Sequence, residues 1–285
     1  MDYNEILPET KNNNKKGNKN KSFQLKYYVS HDFLEIQIFG KTFVKNNKDK
    51  CHLIIENNDC ELRAFYKFKT KGEKSITLVI DEEDINFIEM FKPDGLTDYR
   101  YYNKSLIDIS SLESLDASEI TDLEAMFCGC WEIKNFKCLK DWDVSKCKNF
   151  SHLFEDCSFS EIDFLSNWNV SNSTHLNNMF DGCRNLINIK GIKNWNVENV
   201  TNFQFMFINC RKLENVNAIQ NWNMNKAKNI RRMFSYCEKL INMDSLYKWK
   251  LNEGVDKTDI IFKCNNLLNL PSNFENTNSS FCVIL

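Results

Sequence analysis

Cysteine has the most reactive side chain in this sequence, and the chain contains 12 of them. Cys128 and Cys130 are separated by one residue, and no second pair lies at the spacing of a zinc-finger ligand set. Six cysteines recur at intervals of 26 or 27 residues: Cys130, Cys157, Cys183, Cys210, Cys237 and Cys264. If they lie on helices, neighbours are about 8 to 10 Å apart, beyond the limit of about 7 Å between Cα atoms for a disulfide. The column therefore predicts small buried side chains, not disulfides or metal ligands.

One further cysteine lies in a motif for covalent modification. Cys282-Val283-Ile284-Leu285 fits the C-a-a-X signal for prenylation, and leucine in the last position favours a geranylgeranyl group. A single lipid chain usually needs a second membrane signal, and neither lysine nor arginine follows Lys263. We predict lipidation at Cys282. The alternative is that this apolar segment docks on the last coil of the repeat described next.

The repeat is marked by five tryptophans, each followed fifteen residues later by a cysteine of the column: Trp142, Trp168, Trp195, Trp222 and Trp249. A period of 26 or 27 residues over five copies is typical of a solenoid, in which each coil contacts only its neighbours. We therefore predict that the tryptophans pack in the core and do not form a stacking platform for carbohydrates or nucleobases.

The apolar residues of each coil have two different spacings. Phe203, Met206, Phe207 and Cys210 follow the i, i+3, i+4, i+7 pattern of an apolar stripe on a short helix. The phenylalanine column of this stripe contains Phe127, Phe154, Phe180, Phe207 and Phe234. After the cysteine, apolar residues recur at every third position, which predicts an extended arm with a turn. One short strand and one short helix per coil predict an α/β repeat, a leucine-rich-repeat-like solenoid.

Changes in composition divide the chain into four predicted segments. Residues 1–22 form an Asn- and Lys-rich tail with few apolar side chains, and we predict that it is disordered. Residues 23–105 show the alternation of strands, which predicts a β-rich module capping the first coil. The solenoid is predicted over 106–270, with Leu115 in the place of a tryptophan, and a disordered arm over 271–285.

The repeat resembles a known family over more than half of the chain. Residues 206–213 match the motif M-F-x-x-C-x-x-L, and residues 195–201 match W-[DN]-[TV]-x-x-V-T. Both motifs are similar to those of BspA-like leucine-rich-repeat proteins. The resemblance implies a binding surface without known catalytic residues. It also implies bacterial and protist relatives that are often cell-surface or adhesive proteins.

Charge and motif content argue against several classes of function. The formal net charge is −2, and nucleic-acid binding requires a clustered basic face. The 4 histidines share no repeat column, and the sequence contains no glycine-rich phosphate loop or nucleophile elbow. We therefore expect no enzymatic activity, catalytic residue, metal, cofactor or small-molecule substrate. An enzyme within residues 23–105 would require a pocket with perturbed ionisable groups.

The leading hypothesis is a non-enzymatic scaffold that binds a protein partner on the solenoid face. Lipidation of Cys282 would tether it to the cytosolic face of a membrane. The expected location is cytoplasmic and peripheral, because residues 1–5 lack the features of a signal peptide and no apolar run reaches a membrane span of roughly 20 residues. The alternative is a cell-surface adhesin or host-interaction protein, as the resemblance implies. Prenylation takes place in the cytosol, so modification of Cys282 distinguishes the two.

Overall fold

The computed structural model describes residues 21–94 and 104–274. The N-terminal module is built around β1 (Lys21–Val29), β3 (Cys51–Ile55), β4 (Asn58–Glu61), β6 (Gly72–Ile80) and β7 (Leu106–Asp108). These strands form one antiparallel sheet in the order β4-β3-β6-β1-β7. A second antiparallel sheet contains β2 (Glu35–Gln37) and β5 (Phe65–Lys67). The α-helix of the described residues is α1 (Lys41–Asn47).

Strand β1 of the module has one buried face. Leu25, Tyr27 and Val29 of β1 are fully buried, whereas Tyr28 between them is half exposed, as the two-residue period of a strand requires.

The structure moves two predicted boundaries. Lys21 and Ser22, placed in the N-terminal tail by composition, belong to β1. Residues 106–108, placed in the array, form β7 and pair with β1, so the sheet leads directly into the first coil.

The array is held together by six backbone segments, which we call ribbons: 122–130, 149–157, 175–183, 202–210, 229–237 and 256–264. In the second ribbon, every second N–H group, at Phe150, His152, Phe154 and Asp156, donates to a carbonyl of the third ribbon over 2.7–3.1 Å. The N–H groups of Leu153, Glu155 and Cys157 donate to the carbonyl three residues back within the same ribbon, and that of Ser151 donates to the side-chain oxygen of Asn149. Each ribbon is therefore a run of overlapping β-turns, and its remaining N–H groups form a ladder with the next coil.

These ribbons occupy the positions where the sequence predicts a short helix on each apolar stripe, and the structure contains turns there instead. His152 and Asp156 have φ angles of 59° and 55°, a left-handed conformation that a right-handed helix excludes. The i, i+3, i+4, i+7 spacing misled the prediction because overlapping four-residue turns also bring every third or fourth side chain to one side.

Each coil also contains a short 3₁₀ helix and an extended arm. The 3₁₀ helices are Ser110–Ser114, Lys137–Leu139, Asp163–Leu165, Lys190–Ile192, Asn217–Ile219, Asp244–Lys248 and Ser272–Phe274. In the arm, Asn215, Asn242 and Asn269 of successive coils form parallel bridges. The Asn215 side chain accepts a hydrogen bond from the backbone N–H two residues later, which fixes the turn into the 3₁₀ helix.

The ladder extends one step upstream of the predicted array. The N–H groups of Glu89 and Phe91 donate to the first ribbon, to the carbonyls of Glu124 and Met126, both at 2.9 Å. The ring of Phe91 stacks on Phe127 with centroids 5.8 Å apart. Residues 86–92 therefore act as an initial ribbon inside the segment predicted as the β-rich module. The Met90-Phe91 pair, which matches Met126-Phe127, is the sequence signal for it.

The module covers the outer edge of this initial ribbon. The carbonyls of Asn86, Met90 and Lys92 accept hydrogen bonds from Asn47 Nδ2, Gly40 N and Gln37 Nε2, over 2.7, 2.8 and 2.9 Å. Gly40 permits this approach because a Cβ there would lie 2.0 Å from the carbonyl oxygen of Glu89. Three terminal acceptors of the ladder are thus satisfied within the chain, as the exposed end of a repeat array requires.

Replacing Phe207 by alanine tests the inward orientation of the ribbon stripe. Phe207 is fully buried between the rings of Phe180 and Phe234, so Phe207→Ala should cost about 3 to 5 kcal/mol of unfolding free energy. Denaturant titration measures the change. Phe205→Ala in the same ribbon is the matched control, because Phe205 is partly exposed and should cost less. Equal losses for the two variants would contradict the orientation.

Candidate functional site

The five repeat tryptophans lie in the interior, each 3% or 4% exposed. Every indole N–H donates to a main-chain carbonyl of the preceding coil: Trp142 to Leu112, Trp168 to Leu139, Trp195 to Leu165, Trp222 to Ile192 and Trp249 to Ile219, over 2.8–3.3 Å. The indole groups therefore join neighbouring coils. Because they are buried and hydrogen-bonded, they offer no face for stacking a ligand.

The phenylalanine column forms a continuous stack beside the tryptophans. Phe127, Phe154, Phe180, Phe207 and Phe234 are fully buried. Successive rings lie 5.5–6.0 Å apart between centroids, with interplanar angles of 2–12°. Offset stacking of this kind adds about 0.5 to 1.5 kcal/mol per pair beyond the burial of the rings. The stack is the apolar centre of the array.

The cysteine column also acts between coils. Cys130, Cys157, Cys183, Cys210 and Cys237 are fully buried free thiols. The Sγ atoms of Cys157, Cys183, Cys210, Cys237 and Cys264 donate to the phenylalanine carbonyl of the preceding coil over 3.0–3.2 Å. Burial raises the pKa of the Cys183 thiol well above its usual range, and it raises that of Cys264 to about 12. Since the thiolate is the nucleophile and the metal ligand, these thiols are held in the unreactive form.

Three acids lie together on the outer side of the second and third ribbons. The carboxylate of Asp181 accepts hydrogen bonds from the amides of Asn178 and Asn209, over 3.0 and 3.3 Å. Burial, and then the negative charge of Glu155, raise the pKa of Asp181 to about 7 and that of Asp156 to about 6. Nearby, His152 Nδ1 lies 2.6 Å from a carboxylate oxygen of Glu155. The carboxyl groups of Asp156 and Asp181 therefore exchange protons near neutral pH, but among the described residues they adjoin no activated nucleophile.

A cleft of about 830 Å³ lies where the module meets the first coil. Its lining contains Asp81, Glu82, Glu83, Asp116 and Glu119. Among the residues that the structure describes, no group of three or more His, Cys, Asp or Glu side chains is placed to hold a metal ion. The cleft is therefore acidic but lacks the geometry of a metal centre.

A row of exposed apolar side chains runs along the extended arms. Ile187, Ile241 and Leu268 occupy the same position of their coils and are 39%, 49% and 75% exposed. Glu214 occupies this position in the coil between Ile187 and Ile241. Backbone hydrogen bonds of 3.1–3.4 Å connect these residues from coil to coil. We call Ile187, Glu214, Ile241 and Leu268 the arm row; it is a rigid, exposed and partly apolar surface.

The arm row was not identified from the sequence, because only the buried apolar residue that directly precedes each of its members was considered there. Its signal is the recurrence of Leu-Ile-Asn at 186–188 and 240–242 and of Leu-Leu-Asn at 267–269. Buried apolar residues and exposed polar residues should alternate along an extended arm. In these triplets the second residue is apolar instead of polar. An apolar residue that breaks the alternation at the same place in several coils is the sequence signal for this exposed row.

The predicted lipidation residue, Cys282, lies outside the described residues, as does the rest of the motif from 283 to 285. Within the described ranges, the helices are too short or too polar to cross a bilayer.

Replacing Asp181 tests its raised pKa. A carboxyl group whose pKa rises on folding, from about 3.9 to about 7, favours the folded state at acid pH, and this stabilisation disappears as pH increases through that window. Asp181→Asn should therefore raise the unfolding free energy at pH 8 by about 1 to 3 kcal/mol and flatten its pH dependence between pH 4 and 7. Asp163→Asn, at an exposed carboxylate, should leave the parent profile unchanged. An unaltered profile for Asp181→Asn, measured by urea denaturation across this range, would contradict the assignment.

The comparisons with known proteins concern the repeat region. The family model described as "Mycoplasma protein of unknown function, DUF285" matches residues 97–188 and 158–274. No curated protein matches the chain, and no solved structure does. The two family matches overlap and together extend from residue 97 to residue 274, more than half of the 285 residues. The chain therefore belongs to the DUF285 family, a BspA-related family.

Proposed function

We propose that this protein is a non-enzymatic scaffold that binds a partner protein through the arm row. The observation that carries the proposal is the repeated exposure of Ile187, Ile241 and Leu268 at one position of the coil. Adjacent exposed apolar side chains, such as Ile241 and Leu268 in neighbouring coils, mark interaction surfaces in soluble domains. Their attachment to a hydrogen-bonded backbone ladder reduces the conformational entropy that binding would cost.

The arm row also suggests the chemistry of its partner. Parallel strands are spaced by about 4.8 Å, so the row extends over roughly 14 Å from Ile187 to Leu268. A short extended segment or one face of a helix matches this length. Glu214 is exposed within the row, and burying its charge is costly unless a cation pairs with it. We therefore propose a partner segment with apolar side chains and a lysine or arginine opposite Glu214.

The repeat core supports binding over catalysis. The indole N–H groups and the thiols of the repeat are directed at main-chain carbonyls, and buried thiols with raised pKa values are poor nucleophiles. The tryptophans and cysteines of the array thus contribute to its stability. An enzyme would have to use residues outside these columns.

Charged substitutions in the arm row test the binding surface. Affinity purification from native cells should recover a partner with the parent chain, and Ile241→Asp combined with Leu268→Asp should reduce its recovery by about tenfold or more. Asn223→Asp adds a negative charge at an exposed position of the same array and should retain the partner. The same protein at the same yield with all three chains would overturn the proposal.

The second part of the proposal is a lipid tether at Cys282, which rests on the C-a-a-X motif. The tether would hold the scaffold on the cytosolic face of a membrane, in contrast to a cell-surface adhesin.

Intact mass spectrometry of the chain from a eukaryotic host should detect a geranylgeranyl group, and Cys282→Ser should lack it and lose membrane association. Since neither lysine nor arginine follows Lys263, membrane association should depend little on salt. An unmodified mass would reject the tether, and export to the cell surface would favour the adhesin.

A further inference from the structure

The acidic cleft between the module and the first coil has two walls of the same charge. One wall is formed by residues 81–88, which follow β6, and the other by residues 115–122. The walls contribute seven carboxyl groups, whereas the described lining contains two lysines, Lys21 and Lys50. The described lining therefore has five negative charges in excess, more than the formal net charge of −2 of the whole chain.

The lining also contains apolar side chains from both walls. Phe87 and Leu115 are buried, whereas Ile85, Ile88 and Ile120 are partly exposed. Ile85 and Ile120 pack against the hydrophobic core of the protein, so the apolar part of the cleft is continuous with that core. The cleft is thus an apolar groove with acidic walls, and not a group of carboxylates alone.

Hydrogen bonds fix both walls of the cleft. The backbone of Asn86 is joined to α1, because its N–H donates to Asn47 Oδ1 over 2.9 Å and its carbonyl accepts from Asn47 Nδ2 over 2.7 Å. In the opposite wall, the carboxylate of Asp116 accepts from the N–H and the hydroxyl of Ser118 over 3.1 and 2.7 Å. A preformed groove of this kind loses little conformational entropy when a ligand binds.

The same contacts keep a carboxylate of each wall in its ionised form. Hydrogen bonds from Ser118 lower the pKa of Asp116, and the hydrogen bond from Lys50 Nζ lowers the pKa of Asp84. Both walls therefore present negative charge at neutral pH.

The sign of this charge selects the class of ligand. A cleft lined by one sign of charge attracts the opposite ion, so phosphate groups and nucleic acids are repelled. Among the described residues, no set of three or more acids, histidines or cysteines is placed to hold a metal ion. A polyamine would leave the isoleucines in contact with water, whereas a peptide can cover them with an apolar side chain. The volume of about 830 Å³ is sufficient for a short peptide segment.

We propose that the cleft binds a partner peptide in which an apolar residue is flanked by lysine or arginine. The apolar side chain packs on Ile85, Ile88 and Ile120, and the flanking cations pair with carboxylates of the two walls. None of the lining residues belongs to the arm row. The cleft is therefore a second binding surface, and the inference does not depend on the function proposed for the arm row.

NMR titration of the full chain with synthetic peptides tests this site. The probe is a short peptide with one phenylalanine between two pairs of lysines. Its ring should shift the methyl signals of Ile85, Ile88 and Ile120, and added salt should weaken the binding. A peptide with serine in place of the phenylalanine should bind about tenfold more weakly, because it has no apolar side chain to bury in the groove.

Charge reversal in the cleft provides the second part of the test. Glu82→Lys combined with Glu83→Lys changes two exposed carboxylates of one wall and should weaken binding of the phenylalanine peptide by about tenfold or more. Glu198→Lys combined with Glu253→Lys is the matched control. It makes the same change in net charge at exposed positions outside the cleft and should keep the parent affinity.

Three results would overturn the proposal. The first is that the parent chain shows no shift at the three isoleucines, and the second is that both pairs of lysine substitutions have the same affinity. The third is equal affinity for the serine and phenylalanine peptides, which would reduce the cleft to a general attraction for cations. Ile241→Asp combined with Leu268→Asp should not change the affinity, and a loss of binding there would place the peptide on the arm row instead.

Discussion

The direction of the backbone hydrogen bonds between coils is the constraint on which the array depends. In the first five ribbons every second N–H group donates to the next coil, as Phe154 does to Met179, while most of the others close β-turns. Buried backbone amides require hydrogen-bond partners. This alternation supplies those partners without a helix or a long strand. Within the ribbons it also makes the two edges chemically different, with carbonyls at the N-terminal edge and N–H groups at the C-terminal edge; in the arms the direction is reversed, as from Leu268 N–H to the Ile241 carbonyl. The module covers the carbonyl edge of the ribbons with donors from Gln37, Gly40 and Asn47.

The buried side-chain columns reinforce this ladder because they use carbonyl lone pairs that the backbone leaves free. The carbonyl of Phe154 accepts from the backbone N–H of Cys157 and from the thiol of Cys183 in the next coil. The carbonyl of Leu139 likewise accepts from Trp142 N and from Trp168 Nε1. Tryptophan and cysteine therefore recur at the repeat period for their donor groups as well as their volume. A phenylalanine in place of an indole would leave a buried carbonyl with one bond fewer.

Because the columns use these groups internally, function has to be sought on the surface. Among the described residues, three features outside these columns have distinct chemistry: the arm row, the acidic cleft at the module and the largely buried acids around Asp181. The arm row alone combines apolar exposure with a repeated backbone position.

By itself, the sequence determined the period, the columns and the inward position of each column, since spacing records which residues share an environment. It did not determine the local conformation of the stripe, because turns and a helix give the same three- and four-residue spacing. The initial ribbon at Glu89–Phe91 escaped prediction because it is a single imperfect copy next to strands. The exposure of Ile187, Ile241 and Leu268 was decided only by the tertiary structure. An apolar side chain is buried or exposed according to what packs against it, and in the arm nothing among the described residues covers that side.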